Sequence, residues 1–521
     1  MAVRNLLQNR ERKMGVENRT RNAKRNIMWA IFNKIIRLVL TFVMRTMIIK
    51  LMGSLFLGLD SLFTSVLQIL NLAEMGVGSA IVFSMYEPMA TGDDDRVCAL
   101  MSLYKKLYRY IGVGVLVAGL AIMPFLTNII HGDVPQGVSI YVLYAFNLAN
   151  TVLSYWMFAY TGSLLQASQR RDVLSNIETV INILSGVSRI ALLWLFRNYY
   201  IYTIVLPTMT LISNLITYGV TRRMYPHYRP RGDLDKETTT DITKRIAGAF
   251  IFKLSNVCRN AFDSIVLSGF LGLTTLAKYN NYYYILNCIA NFLNLIPASM
   301  NAGIGHSLVT ESVEKNHIDM LKFNLLYNWI TAVCTCCLFC LYQPFITWWV
   351  GDDWLFSRAN MAIFCLYFFC LHSNGVIHQY RQAAGIWWQD RTRFIVEAIL
   401  NLVLDVALVK MTGVTGVLLA SISTLVFINT MMGTTVIFRE YFGKERQIPF
   451  LLRLWWFGFV TAIICLLAEF LCNLIPYNGM ISILERAVVA GLTPLILFPL
   501  INSFLPEFKD AVWFVKHLAR K

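Results

Sequence analysis

Long apolar runs recur along this chain from Ile27 to Phe504, and they constrain its fold more than any other feature. An α-helix needs about 20 apolar residues to cross the hydrocarbon core of a bilayer. Fourteen segments meet this requirement: 27–50, 58–88, 100–130, 138–166, 172–196, 199–222, 243–271, 275–308, 321–349, 359–384, 391–410, 413–438, 450–473 and 480–503. The sequence therefore predicts an all-α integral membrane protein with about 14 transmembrane helices.

Composition points the same way. Hydrophobic residues make up 56% of the chain and charged residues 15%, whereas soluble proteins carry about 25% charged residues. These proportions exclude a soluble enzyme, a secreted disulfide scaffold and a nucleic-acid-binding domain. The chain has 11 cysteines, and those that lie inside the apolar segments do not match the spacing of metal-binding motifs.

The basic residues predict the orientation. Lysine and arginine number 46 against 30 acidic residues, a net charge of +16. Basic groups precede segment 1 and follow segments 2, 4, 6, 8, 10 and 12, whereas the alternate loops hold only Lys50, Arg197, Arg358 and Lys410. Because cytoplasmic loops are enriched in lysine and arginine, we expect both termini in the cytoplasm and an even number of helices.

A polar stretch near the middle divides the chain. We expect a basic cytoplasmic tail (1–26), an N-terminal bundle of six helices (27–222), a cytoplasmic linker (223–241), a C-terminal bundle of eight helices (242–503) and a cytoplasmic tail (504–521). The motif Phe56-Leu-Gly-Leu59 recurs as Phe270-Leu-Gly-Leu273 near the outer end of the first helix of each bundle. Such repetition is typical of transporters built from two pseudo-symmetric halves.

Charged side chains inside apolar segments are the main functional signal, since they are costly in the bilayer and usually face a cavity. Lys34, Arg37 and Arg45 share one face of segment 1, which contains no acidic residue. Lys34 and Arg45 could instead extend to opposite interfaces, but Arg37 lies near mid-depth. We therefore interpret this face as the lining of a cavity that binds an anionic group.

Other segments add polar faces of the same kind. Further candidate cavity cations are Arg189, Lys253 and Arg259; candidate sugar contacts are Gln68, Asn71, Asn256, Asn260, Asn287, Asn291 and Asn294; candidate ion-coupling acids are Glu178, Asp263, Glu397 and Asp405. The asparagines could equally form hydrogen bonds between helices. The acids could bind a coupling cation or proton, or pair with neighbouring basic residues.

Catalytic motifs are scarce. Asp93, Asp94 and Asp95 lie in a short loop with no folded domain around them, and the histidines lack the spacing of a zinc site. No phosphate-binding glycine motif occurs. We expect a non-enzymatic protein without a metal or organic cofactor, with Na⁺ or H⁺ as the possible coupling ion.

The stretch from Asn71 to Ala80 reads Asn-Leu-Ala-Glu-Met-Gly-Val-Gly-Ser-Ala, and Tyr86-Glu-Pro-Met and Gly92-Asp follow it. Together with Tyr104-Lys-Lys-Leu-Tyr108 and a glycine-rich helix ending in Met123-Pro-Phe125, it resembles bacterial Wzx-type oligosaccharide flippases. These belong to the polysaccharide transporter family of the multidrug/oligosaccharidyl-lipid/polysaccharide (MOP) superfamily. The likeness extends over nearly the whole chain and is densest in segments 1–3.

The resemblance implies a MATE-like bundle of two lobes that opens alternately to either side of the bacterial cytoplasmic membrane. Such proteins move undecaprenyl-pyrophosphate-linked oligosaccharides to the outer leaflet for O-antigen, capsule or exopolysaccharide synthesis. The family's cationic cavity corresponds to Arg37 and its neighbours by position and charge. Implied partners are the lipid-linked glycan, membrane lipid, a polysaccharide polymerase and glycosyltransferases, but no nucleic acid. A multidrug exporter and a lipid II flippase remain alternatives, and a membrane polymerase would need a larger external loop.

Overall fold

The structure, a computed structural model, describes residues 34–74, 77–168, 170–476 and 478–518, and these ranges contain helices and no strand. The α-helices are α1 (34–51), α2 (Ser54–Leu70), α3 (Val77–Thr91), α4 (Asp94–Ile122), α5 (Ile140–Trp156), α6 (Ala159–Ala167), α7 (Arg171–Phe196), α8 (Tyr199–Met224), α9 (Lys236–Leu293), α10 (Leu295–Thr310), α11 (Val313–Val350), α12 (Arg358–His372), α13 (Gly375–Ala383), α14 (Trp387–Thr412), α15 (Val414–Ser423), α16 (Gly433–Ile437), α17 (Gln447–Asn473), α18 (Gly479–Ile501) and α19 (Glu507–Leu518). In this described part, nine helices are long and apolar enough to cross a membrane.

Segment 2 is not the single helix that hydropathy predicts. A 3₁₀ turn, Asn71–Glu74, separates α2 from α3. Tyr155 donates a hydrogen bond to the Asn71 side chain at 2.7 Å, and Tyr108 donates to the Glu74 carboxylate at 2.6 Å. These bonds from other helices hold the polar side chains of the turn inside the bundle.

Glycine turns reverse the chain at corresponding places in the two halves. Gly53 between α1 and α2 has φ 96° and ψ 176°, and Gly272, which divides α9 into two helices, has φ 82° and ψ 171°. Both conformations favour glycine because it lacks Cβ. Gly58 of the repeated motif lies inside α2 instead, so the two copies of the motif are not placed equivalently.

The predicted linker is partly helical and packs on the first half. Helix α9 begins at Lys236, because the side chain of Asp235 accepts a hydrogen bond from the Thr238 amide at 2.8 Å and so caps the helix. Arg231 pairs with Asp95 at the start of α4, with an N–O distance of 3.0 Å. Burial and a hydrogen bond with Asp94 raise the pKa of Tyr228 to about 12.

The second half contains irregular helix near its centre. Between α15 and α17 the chain forms two π-helical stretches, Thr424–Met432 and Phe438–Phe442, with α16 between them. π-Helical turns are often found at functional sites. One of them carries Asn429, which donates hydrogen bonds to the buried carboxylate of Glu397 at 3.2 and 3.3 Å. The predicted C-terminal tail also forms a helix, α19.

Candidate functional site

A cavity of about 160 Å³ lies between α1, α7 and α8 in the first half. Its polar lining includes Arg37 and Thr41 from α1, and Asn182, Ser185 and Arg189 from α7. These are the residues that helical periodicity places on one face of segment 1 and one face of segment 5. The two polar faces therefore meet, and we call the space between them the cation cavity.

The two arginines of the cation cavity lack anionic partners among the described residues. Arg189 is 9% exposed, its guanidinium carbon lies 3.9 Å from the centre of the Tyr202 ring, and its Nε has no hydrogen-bond partner. Arg37 is exposed to the cavity. A buried cation without a counter-ion is costly, and a cation–π contact recovers only about 2 kcal/mol of that cost. The cavity is therefore suited to an anionic ligand.

The other two cations of α1 contact the second half. The Lys34 ammonium donates a hydrogen bond to the carbonyl oxygen of Asn291 at 2.6 Å. Arg45 donates two bonds to the side-chain oxygen of Asn281, at 2.8 and 3.1 Å, and its guanidinium carbon lies 5.3 Å from the centre of the Tyr284 ring. The basic face of α1 is thus divided, with Arg37 in the cation cavity and Lys34 and Arg45 bound to α9.

A second cavity, of about 220 Å³, lies between the two halves. Its polar lining includes Arg45, Asp60, Thr64 and Gln68 from the first half and Asp263, Asn280 and Asn287 from the second. We call it the inter-half cavity. Gln68 and Asn287 are the predicted sugar contacts that the structure brings together here.

Two acidic residues of the second half form a buried pair. Asp263 on α9 and Asp405 on α14 are 1% and 0% exposed, and their carboxyl groups interact directly. Tyr279 donates to Asp263 at 3.0 Å and Ser421 donates to it at 3.3 Å. Neither oxygen of Asp405 receives a hydrogen bond within the described part of the chain. A buried carboxylate that accepts no hydrogen bond is costly in its ionised form, so Asp405 is suited to take up a proton or a cation.

Glu397, a predicted coupling residue, belongs to a buried ion cluster instead. Arg393 donates to Glu397 at 2.9 Å, and its Nε and Nη2 donate to the two oxygens of Asp390 at 2.7 and 2.8 Å. Arg381 lies 3.4 Å from Asp390. Arg381 and Arg393 belong to the basic group that the sequence places in the loop after segment 10, but they are 5% and 2% exposed. This assignment was wrong, because Asp390 and Glu397 lie three and four residues from Arg393 and neutralise it inside the bundle.

The remaining predicted residues are dispersed. Glu178 is exposed and does not line the cation cavity. Asn71 accepts a hydrogen bond from Tyr155 at 2.7 Å and so connects helices. Asn294 lies at the junction of α9 and α10, where its backbone amide donates to the Ala290 carbonyl at 2.9 Å. The side chains of four further predicted residues lie outside the part that the structure describes: Lys253, Asn256, Arg259 and Asn260.

Sequence reasoning missed Asp60 in the inter-half cavity and Tyr202 beside the cation cavity. Asp60 lines the inter-half cavity, and its position as a charged residue inside segment 2 was a sufficient signal. The Tyr202 ring packs against Arg189, but this contact depends on how α7 and α8 pack. Periodicity within one helix does not reveal it.

The sequence model of a family described as polysaccharide biosynthesis proteins matches residues 23–299. The match covers more than half of the chain. The protein belongs to this family. The matched region includes α1, α7, α8 and all of α9, and therefore both cavities. A comparison with curated proteins gives no match.

Solved structures of transporters share the fold. The lipid II flippase MurJ in an inward closed conformation superimposes with a TM-score of 0.64 at 14% identity, covering 92% of this chain and 99% of MurJ. An inward-facing multidrug resistance MATE family transporter of the MOP superfamily gives a TM-score of 0.55 at 13% identity, covering 77% of this chain and 94% of the transporter. A mutant of the Vibrio cholerae MATE transporter VcmN gives 0.51 at 12% identity, with coverages of 79% and 95%.

These findings agree on the class of protein. The protein is a multi-pass membrane protein with a MurJ- and MATE-like fold, and the part of its chain that the structure describes is all-helical. Its family is that of polysaccharide biosynthesis proteins, and its fold is shared by the lipid II flippase MurJ and by MATE transporters.

Proposed function

We propose that this protein moves undecaprenyl-pyrophosphate-linked oligosaccharide repeat units from the cytoplasmic to the outer leaflet of the bacterial cytoplasmic membrane. The observation that carries the proposal is the cation cavity, where Arg37 and Arg189 line one space without anionic partners among the described residues. Guanidinium groups bind phosphate oxygens through paired, charge-assisted hydrogen bonds. A pyrophosphate would supply the negative charge that the cavity lacks.

The sugar part of the cargo needs a polar route, because hydroxyl groups without partners are costly in hydrocarbon. The inter-half cavity offers amides from both halves, Gln68 and Asn287 among them. We propose that the first half (27–222) and the second half (242–503) rock relative to each other and so expose this route to one side at a time. Since the linker packs on α4 through Arg231, the movement would be centred beyond Asp235.

We propose that the Asp263–Asp405 pair couples this movement to Na⁺ or H⁺. Binding of a cation or proton would compensate the carboxylate of Asp405, which accepts no hydrogen bond within the described part of the chain. The site joins α9, which also lines the inter-half cavity, to α14. Occupancy of the pair could therefore change how α9 packs against the first half.

Lipid analysis of a strain that lacks the protein tests the cargo. With leaflet-selective labelling, we expect complete undecaprenyl-pyrophosphate repeat units to accumulate on the cytoplasmic side. Wild-type protein should reverse the accumulation, Arg37→Ala should not, and Arg223→Ala, which changes an exposed arginine at the end of α8, should behave as wild type.

Two results would replace the proposal. Normal glycan lipids together with increased retention of cationic dyes would indicate a multidrug exporter. Rescue of cells depleted of their lipid II flippase would indicate that lipid II is the cargo.

The coupling ion is tested with proteoliposomes. Transport by the wild type should depend on a gradient of Na⁺ or of H⁺. Asp405→Asn should remove that dependence, because it removes one of the two interacting charges, whereas Asp353→Asn, at an exposed position, should retain it. Unchanged ion dependence in Asp405→Asn would exclude the pair as the coupling site.

A further inference from the structure

The C-terminal helix α19 encloses a cavity against the second half that the transport route does not use. The cavity has a volume of about 220 Å³ and lies between α19, α11 and the end of α18. Its wall includes Leu326 and Trp329 of α11, Phe498 of α18, and Val512 and Val515 of α19. Lys516 is the one charged residue among those that line it. We call this space the α19 cavity.

Helix α19 contacts the bundle along its length, so the cavity beneath it is part of the folded structure. Near its start, Glu507 pairs with Arg453 of α17, with an N–O distance of 3.0 Å. Further along, the rings of Phe514 and Phe323 of α11 pack edge to face with 5.4 Å between their centres. A gap that persists between elements held in this way is available to a ligand.

The surroundings of the cavity place it at a membrane interface. Trp513 and Phe504 are 61% and 66% exposed, and exposed aromatic rings are typical of the level of the lipid head groups. Lys509 and Lys516 on α19 are also exposed. This basic end of the bundle is the one that the distribution of lysine and arginine assigns to the cytoplasm, where the leaflet carries anionic lipids.

The shape of the cavity restricts its occupant. An apolar cavity of about 150 Å³ in another protein admits benzene, so this space admits several methylene groups. An α-helix of a partner protein is about 10 Å wide and is too wide to enter it. An apolar interior with a single cation at its edge matches an amphiphile that has a flexible hydrocarbon chain and an anionic head group.

We infer that the α19 cavity binds an acyl chain of an anionic phospholipid from the cytoplasmic leaflet, with its phosphate at Lys516. The chain fills the space between α19, α11 and α18, and the phosphate neutralises a lysine on the exposed side of α19. This lipid site is separate from the cation cavity and does not depend on which cargo is transported.

Native mass spectrometry of the purified full-length protein tests the inference. After removal of bound lipid, the protein is titrated with phosphatidylglycerol or phosphatidylcholine that carry the same acyl chains. We expect phosphatidylglycerol to bind about five-fold more tightly, as one lysine near an anionic head group provides. Lys516→Gln, a substitution at an exposed position, should remove this preference and leave binding of the acyl chain intact.

A second variant tests the position of the chain. Val512→Trp fills the cavity and should weaken phosphatidylglycerol binding about ten-fold or more, since it displaces two or more buried methylene groups. Val488→Trp is the matched control, because Val488 is 59% exposed on α18 and does not line the cavity.

Three results would overturn the inference: equal affinity for the two phospholipids in the wild type, wild-type binding by Val512→Trp, or stronger binding of a polyprenyl phosphate that displaces phosphatidylglycerol. The last result would identify the occupant as the polyprenyl chain of the cargo. Because Lys516→Gln changes only an exposed side chain, the head-group result stands even if Val512→Trp does not fold.

Discussion

The two halves of the molecule differ in whether the arginines inside the bundle have anionic partners. In the first half, Arg37 and Arg189 line one cavity and have no anionic partner among the described residues. In the second half, Arg393 is 2% exposed and bonds to both Asp390 and Glu397 at 2.7–2.9 Å. In the first arrangement the arginine side chains remain available to bind a ligand. In the second arrangement carboxylates of the protein neutralise the arginine.

This difference shows that a charge inside the bilayer does not by itself identify a binding site. A buried charge that the protein neutralises has a structural role, and its loss leaves the partner unpaired. A buried charge without a partner costs stability and is retained where function needs it. Asp405 is a third case, because its buried carboxylate accepts no hydrogen bond within the described part of the chain and is suited to take up a mobile cation or proton.

The largest effect on stability should follow from breaking the buried ion cluster. Glu397→Gln removes one carboxylate from Arg393, and loss of one partner of a buried pair costs about 3–5 kcal/mol. We expect a clear decrease in the thermal unfolding temperature of the purified protein. Glu178→Gln, at an exposed position, is the control and should leave that temperature unchanged. Equal stability of the two variants would show that the cluster is not structural.

Substitution of Arg37 in the cation cavity should affect ligand binding and leave stability unchanged. Arg37→Ala removes an exposed cation that has no partner among the described residues, so the unfolding temperature should stay the same. Binding of a short-chain polyprenyl pyrophosphate should weaken about 10- to 150-fold, since a hydrogen bond to a charged group contributes about 1.5–3 kcal/mol. Arg37→Lys should recover part of the affinity. If Arg37→Ala instead lowered stability and left binding intact, the contrast between the halves would be wrong.

The positions of many helices can be predicted from the sequence, because the segments that cross the lipid are recognised directly by their hydropathy. The predicted segment 172–196 corresponds to Arg171–Phe196, and the segment 199–222 corresponds to Tyr199–Met224. The break at Asn71–Glu74 was not predictable, since Tyr155 and Tyr108 stabilise it from other helices. A local pattern cannot report bonds that depend on tertiary packing.

The same limit applies to the candidate site. Periodicity placed Arg37 and Arg189 on the polar faces of their helices, and those faces meet in the structure. The partner of Arg45 and one partner of Glu397 could not be derived in this way, because Asn281 lies on α9 and Asn429 lies on a π-helical stretch of the second half. The other partner of Glu397, Arg393, lies four residues away on the same helix. The sequence predicts on which face of a helix a residue lies. The packing of the helices decides whether the protein neutralises the charge of that residue or leaves it available to a ligand.

A smaller effect on stability and transport should follow from a substitution at the contact between the halves. A Cβ atom at Gly58 would overlap the carbonyl oxygen of Leu273, so Gly58→Ala forces α2 away from α9. Overpacking of this kind costs about 1–3 kcal/mol, and it should lower transport by disturbing the packing of α2 against α9. Gly114→Ala is the matched control, because a Cβ there meets nothing within 4 Å. It should stabilise α4 by up to about 1 kcal/mol.

Substitution of Lys34 should have the smallest effect on stability and transport. It tests whether the basic face of α1 is divided between the cation cavity and α9. Its ammonium bonds to a backbone carbonyl, that of Asn291, at a partly exposed position. The carbonyl belongs to a helix and loses little when the lysine is removed, so Lys34→Met should cost less than about 1 kcal/mol of stability. Transport should stay within about five-fold of the wild type, far above that of Arg37→Ala. If Lys34→Met abolished transport while the protein remained folded, Lys34 would bind the cargo together with Arg37, and the whole basic face of α1 would form one anion site.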